Sequence, residues 1–374
     1  FKWLFVLGII ILALFMGGTL INQQRHHKRV VILGIDAMDA AVTERLLNEG
    51  RLPNLAALRN AGSYSRLRTT VPAETVVAFT SVATGVNPGK HGIFDFIMRD
   101  PQDHMPYLSL NEVSNTPTGV HITNRRRAAA FWEELSRRRI PSRVFFFPNT
   151  FPPDRIEGVM LSGMGVPDIT GTTGRFSYYT HDPELADSDS RGRHVSVMKK
   201  NGVIMSALYG PKVMRGGREE EARIPFTLHD GEKPGEMVMR IAGGTSVLRK
   251  GQWSDWQKVA FNIGLFRKAS GMVRFYLAST GDSFSLYATP VNFDPEEPLF
   301  SISSPASYSR TAARKYGLYP TLGMPHDTWG LQEGKLSEGA FLDQVEGVLT
   351  SRQRILRAEL NKFRGGVFFF YFDT

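Results

Sequence analysis

Arg29-Val30-Val31-Ile32-Leu33-Gly34-Ile35-Asp36 reads as one basic residue, a run of aliphatic side chains broken only by Gly34, and a carboxylate at the end. A run without polar alternation predicts a strand buried on both faces of a parallel sheet. Asp36 then stands at the carboxyl end of that strand. This is the edge where open α/β sheets bind ligands, and carboxylate oxygens suit a hard divalent cation. The competing reading makes Asp36 the cap of the helix expected over Asp39–Asn48, although Asp39 is better placed for that role.

Some forty residues on, Val71-Pro72-Ala73-Glu74-Thr75 leads into the apolar run Val76–Ala83, which Gly85 and Pro88 stop. Pro72 disfavours helix before it, so the run predicts a buried helix that begins near Thr75. The unpaired N–H groups and positive dipole end of such a helix attract an anion, and a phosphate held there would face the Thr75 hydroxyl. Threonine is also an ordinary N-cap, and position alone leaves both readings open.

The two landmarks together resemble the alkaline phosphatase superfamily, in its branch of type I phosphodiesterases and nucleotide pyrophosphatases. In that family a strand ends in an Asp metal ligand, matched by Asp36 in Gly34-Ile35-Asp36-Ala37-Met38-Asp39. A Thr or Ser nucleophile stands nine residues before the Thr of a Thr-Gly-x-x-Pro-x-x-His-Gly segment, matched by Thr75 before Thr84-Gly85-Val86-Asn87-Pro88-Gly89-Lys90-His91-Gly92. Further landmarks of the same kind are His91–Phe96, Pro148–Asp154, Gly158–Gly165, Tyr316–Pro320 and Pro325–Gly330. The similarity runs over roughly residues 29 to 374. Two positions depart from the pattern: Ala37 replaces the Gly that often follows the ligand Asp, and Ala78 stands where many pyrophosphatases have Asn.

The resemblance implies a metal-dependent phosphoric ester hydrolase of the phosphodiesterase or nucleotide pyrophosphatase type. Its site would hold two divalent ions, zinc by family habit, with Asp36 and the Thr75 oxygen as ligands and Thr75 forming a phosphothreonine. A phosphoryl transferase or phosphomutase of the same superfamily, and a catalytically silent binding protein, remain alternatives. The family's second ligand cluster, Asp-x-x-x-His and later histidines, is expected beyond Thr374, so residues 1–374 alone are expected to be inactive. Asp373 is a weaker candidate ligand. His91 is expected to support the loop rather than bind metal, and His326 carries no transferable role.

Composition fits a globular enzyme, with 42% apolar and 22% charged residues among 374. The absence of cysteine excludes disulfides, thiolate metal sites and a cysteine-derived formylglycine. The formal charge of +9 collects in Arg25–Arg29, Arg125–Arg127 and Arg137–Arg139, without the interleaved aromatic residues of a nucleic-acid stacking platform. The helix-associated clusters are read as solvated faces, and no nucleic-acid partner is expected. The substrate is a phosphate ester of open identity, and the oligomeric state is open.

Trp3–Ile21 is nineteen residues without a charge, enough to cross a hydrocarbon core at about 1.5 Å per residue. It predicts a single-pass anchor over residues 1–21 with a linker at 22–28 and an extracytoplasmic catalytic domain. Helical stretches at Asp39–Asn48, Leu55–Ala61 and Ala128–Arg138 alternate with short strands such as Arg143–Phe147, the mark of a doubly wound α/β sheet. The first part of this core is expected over 29–221. Short strands parted by Gly, Ser and Asp turns then predict an inserted antiparallel β module over 222–300, which could wall the site. The core resumes over 301–374 with a helix at Gly339–Leu360 and a buried strand at Gly366–Phe372.

Overall fold

The computed structural model describes residues 27–116, 119–182 and 190–373. The apolar run Trp3–Ile21 and the anchor expected from it lie outside them. Among the described residues no helix is long and apolar enough to cross a membrane.

The chain is a mixed α/β protein with several sheets, and among the described residues the central one has five strands in the order Arg29–Ile35, Gly366–Phe372, Ser142–Phe147, Gly158–Ser162, Ser303–Ser304. The first four run parallel and the short last one is antiparallel. Strand Gly366–Phe372 is therefore interior and has the continuous apolar sequence that burial on both faces requires. Phe369 and Tyr371 point to one face, where Phe147 lies 4.4 Å from Phe369 and Phe79 of helix Thr75–Thr84 lies 4.9 Å from Tyr371 between ring centroids. Phe368 and Phe370 point to the other, towards Phe145, Tyr308 and Phe363. Helix Phe131–Arg137 joins the first face through Trp132, and helices Tyr308–Tyr316 and Glu338–Leu360 cover the second.

Phe145 and Phe147 would share a face in a regular strand. They do not because the register with the neighbouring strand shifts between them and Phe146 sits at a φ of 58°. The extra residue is a bulge that sends one phenylalanine into each layer.

Strand Arg29–Ile35 corrects one expectation. It pairs in register with Gly366–Phe372, from Arg29 opposite Gly366 to Ile35 opposite Phe372, but among the described residues it is the outer strand of the sheet and its aliphatic side chains are exposed. Leu33 keeps 50% of its surface in water. The apolar run identified a parallel-sheet strand correctly. Gly34 does have a packing reason: a Cβ there would come within 2.9 Å of the Phe369 ring and 3.2 Å of the Phe79 ring.

The antiparallel region begins before residue 222, which falls inside strand Arg218–Asp230. That strand pairs with Val203–Arg215 and belongs to a five-stranded meander running from Lys199 to Arg249. Three of its connections, Asn201-Gly202, Gly216-Gly217 and Ala242-Gly243, have positive φ at both residues, the geometry of tight hairpin turns. Ser177–Thr180 and Arg193–Ser196 join a four-stranded sheet with Phe275–Ser279 and Ser285–Ala288. These sheets share one core built around residues such as Tyr179, Leu208, Phe226, Phe261 and Phe275. Gly210 and Pro211, at an irregularity in the pairing of the long strand, interrupt the alternation that would have revealed it.

Candidate functional site

Asp36 and Asp373 lie at the carboxyl edge of the central sheet. The amide of Asp36 donates to the carbonyl of Phe372 at 2.9 Å, extending the ladder one residue past both strands, so Asp36 and Asp373 end neighbouring strands at the same edge. Ala37 follows with a φ of 48°, a conformation unfavourable for a residue with a Cβ. The backbone turns sharply there, and Asp39 then caps helix Ala40–Asn48 by accepting from the Val42 amide at 2.7 Å. With Asp39 in that role, Asp36 is left for the site.

Helix Thr75–Thr84 presents its N-terminus to Asp36. Glu74, rather than Thr75, occupies the cap position and makes no side-chain cap bond, so Thr75 is the first helical residue. Its hydroxyl lies 3.2 Å from Asp36 Oδ1 and 3.4 Å from Oδ2, donating between the two oxygens. The helix is held in place along its length. Val76 and Val77 are buried with Ile93, Leu110 and Met164, Thr80 receives a bond from Asn149 Nδ2 at 3.1 Å, and Gly85 ends the helix at a φ of 67°.

His91 is fully buried and both ring nitrogens are engaged. Nδ1 accepts from the Ile93 amide at 3.2 Å, which places the proton on Nε2, and Nε2 lies 2.9 Å from Ser81 Oγ. Burial pushes its pKa down, favouring the neutral ring. His91 thus ties the segment after the helix back onto the helix.

Asp373 is taken up by Arg352. The buried guanidinium donates to Asp373 Oδ2 at 2.6 Å and to the Tyr371 carbonyl at 2.8 Å, and it lies 4.4 Å over the Phe146 ring. Asp373 Oδ1 and His326 Nε2 are buried without a hydrogen-bond partner among the described residues. Burial pushes the His326 pKa down, Asp373 opposing the shift and Arg352 adding to it. Burial, then the charges of Asp36 and Asp373, keeps the Tyr371 phenol protonated.

The carboxylate of Asp36 and the oxygen of Thr75 are hard donors that face one another, and this fits one side of a divalent-cation site. Among the described residues no group of three or more His, Cys, Asp or Glu gathers to complete such a site. The pairing of Asp36 with Thr75 was legible from sequence. The supports Asn149, Arg352 and Tyr371 were not: Asn149 was read within a family segment, and the other two within a helix and an apolar strand. The Arg125–Arg127 cluster is also not uniformly solvated, since Arg126 is buried between Asp154 at 2.7 Å and Glu133 at 3.1 Å.

Residues 30–208, the span that carries Asp36, Thr75 and His91, match the family model described as type I phosphodiesterase / nucleotide pyrophosphatase. Neither the curated proteins nor the solved structures contain a significant match to the chain.

Proposed function

Over residues 30–208 the chain belongs to the type I phosphodiesterase/nucleotide pyrophosphatase family of the alkaline phosphatase superfamily, and from that premise we propose that the protein is a metal-dependent phosphodiester hydrolase with Thr75 as nucleophile. The observation that supports this reading best is the Thr75 hydroxyl, set at a helix N-terminus within 3.2 and 3.4 Å of both Asp36 oxygens.

With its proton held towards Asp36, Thr75 Oγ1 keeps its lone pairs for phosphorus. The first-turn amides and the helix dipole favour the phosphoryl group that approaches them, since the negative charge falls on the positive end of the helix. Divalent cations, zinc by family habit, held in part by Asp36 and Thr75, would lower the pKa of the hydroxyl and offset the charge of the phosphoryl oxygens. The Thr75 oxygen forms a new bond to phosphorus as the ester bond opposite breaks, and the leaving oxygen takes up a proton. Water then attacks phosphorus of the phosphothreonine, releasing the phosphate monoester and returning the proton to Thr75.

The test is hydrolysis of bis-p-nitrophenyl phosphate by the full-length protein with and without added divalent metal. Metal-dependent turnover that is abolished in Thr75→Ala and Asp36→Ala and partly kept in Thr75→Ser supports the reading. Full activity in Thr75→Ala contradicts it.

A further inference from the structure

A cleft of about 830 Å³ lies among the described residues, within the range of roughly 300–1,000 Å³ usual for small-molecule sites. It is continuous with the packing that fixes the site helix. Phe96, Leu110 and Met324 line the cleft and also pack in the cluster with Val76 and Val77, the two residues after Thr75. The rest of its wall comes from parts of the chain outside the central sheet: the hairpin of strands Asn111–Thr116 and Gly119–Asn124, the loop 165–173, and the antiparallel strands around Val213 and Ile263.

Water reaches several aliphatic side chains of the wall, beside the exposed Thr170, Thr172, Thr173, Lys212 and Arg267. Leu108, Val113, Val120 and Met214 keep 49%, 62%, 50% and 69% of their surface exposed, and open apolar side chains gathered in one concave surface mark a ligand site. Of the aromatic residues in the wall, Phe151 and Phe293 are buried in the core, and Phe96 and Phe300 are half-buried. Asp168, the acidic residue in the wall, is turned inward. Its oxygens accept from the amides of Thr170, Thr172 and Arg175 and from the hydroxyls of Thr170 and Thr172. These bonds fix loop 165–173, so this side of the cleft is formed in advance. Arg267 and Lys212 also line the cleft, and Lys212 pairs with Glu219 at 2.7 Å.

We propose that this cleft takes the hydrocarbon chain of the substrate, which is then an amphiphilic phosphate ester of the lipid class with its phosphate at Thr75. The assignment deepens the hydrolase reading and rests on it for the position of the headgroup. A hydrocarbon chain is the ligand part that gains from covering the exposed Leu108, Val113, Val120 and Met214, at about threefold to fourfold in affinity per buried methylene.

Binding tests the proposal separately from catalysis. A fluorescent hexadecyl phosphate, kept below its micellar concentration, is titrated into the full-length protein and into Thr75→Ala, and is then displaced by methyl, octyl and hexadecyl phosphates and by adenosine monophosphate. The expected result is displacement that strengthens steeply with chain length in both proteins, and a loss of hexadecyl binding of tenfold or more in Val113→Glu and in Val120→Glu. Both substitutions lie on an exposed hairpin, and circular dichroism checks that each variant is folded. Displacement independent of chain length, stronger displacement by adenosine monophosphate than by hexadecyl phosphate, or unchanged binding in both variants overturns the proposal. Chain-length-dependent binding without any turnover of bis-p-nitrophenyl phosphate contradicts the hydrolase reading while leaving the cleft assignment standing.

Discussion

Arg352 braces the carboxyl end of strand Gly366–Phe372 through Asp373, donating from one guanidinium nitrogen to the Tyr371 carbonyl and from another to the Asp373 carboxylate. A buried cation so placed neutralises a carboxylate one residue beyond the central strand. It fixes the edge at which Asp36 also ends. Truncating one partner of a buried pair leaves the other charge uncompensated, at a cost of about 3–5 kcal/mol.

Arg352→Met should therefore lower unfolding stability by that amount in urea titration, and Arg352→Met with Asp373→Asn should recover much of it. A loss below about 1 kcal/mol in the single variant would show that the pair does not hold the edge together.

Acid should weaken the fold through its buried histidines. His91 and His326 both have pKa values pushed below the ordinary 6.5 by burial. A base with a depressed folded-state pKa binds its proton more tightly when unfolded, so stability is complete above about pH 6.5 and falls as the pH drops through the folded-state values. Denaturation midpoints measured from pH 8 to 5 should decline below 6.5. His91→Gln should be less stable at pH 8, having lost the bonds to Ser81 and Ile93, but should show a shallower decline.

Ala37 pays a conformational cost for the turn after Asp36, since a left-handed conformation disfavours a Cβ by about 1–2 kcal/mol. Ala37→Gly should leave the melting temperature unchanged or raise it by a few degrees. Ala37→Val, a β-branched residue at the same φ of 48°, should lower it. A clear drop in Ala37→Gly would mean that the turn is not strained.

Much of the fold could be read from local pattern. The interior strand Gly366–Phe372, helix Glu338–Leu360 and the Asp39 cap all follow from apolar runs and capping chemistry that act over a few residues. What escaped depends on partners far along the chain. The exposure of Arg29–Ile35 is set by its place in the strand order, and the early start of the antiparallel region is hidden by the irregularity at Gly210 and Pro211. The hairpin of Asn111–Thr116 and Gly119–Asn124 went unread for a similar reason, because strands rich in Asn, Ser and Thr carry little apolar alternation. The site divides the same way. Asp36 and Thr75 are marked by their positions at element ends, whereas Asn149 holds Thr80 and Arg352 holds Asp373 across 69 and 21 residues of sequence.

The account rests on Thr75 as the attacking group, and trapping the covalent intermediate tests it most directly. The full-length, metal-supplied protein is mixed with bis-p-nitrophenyl phosphate, quenched in acid during turnover, digested, and read by mass spectrometry. The prediction is a p-nitrophenyl phosphoryl adduct on Thr75 that is absent from Thr75→Ala and from unreacted protein. Steady turnover with Thr75 unmodified, and the adduct on another residue or on none, would contradict it.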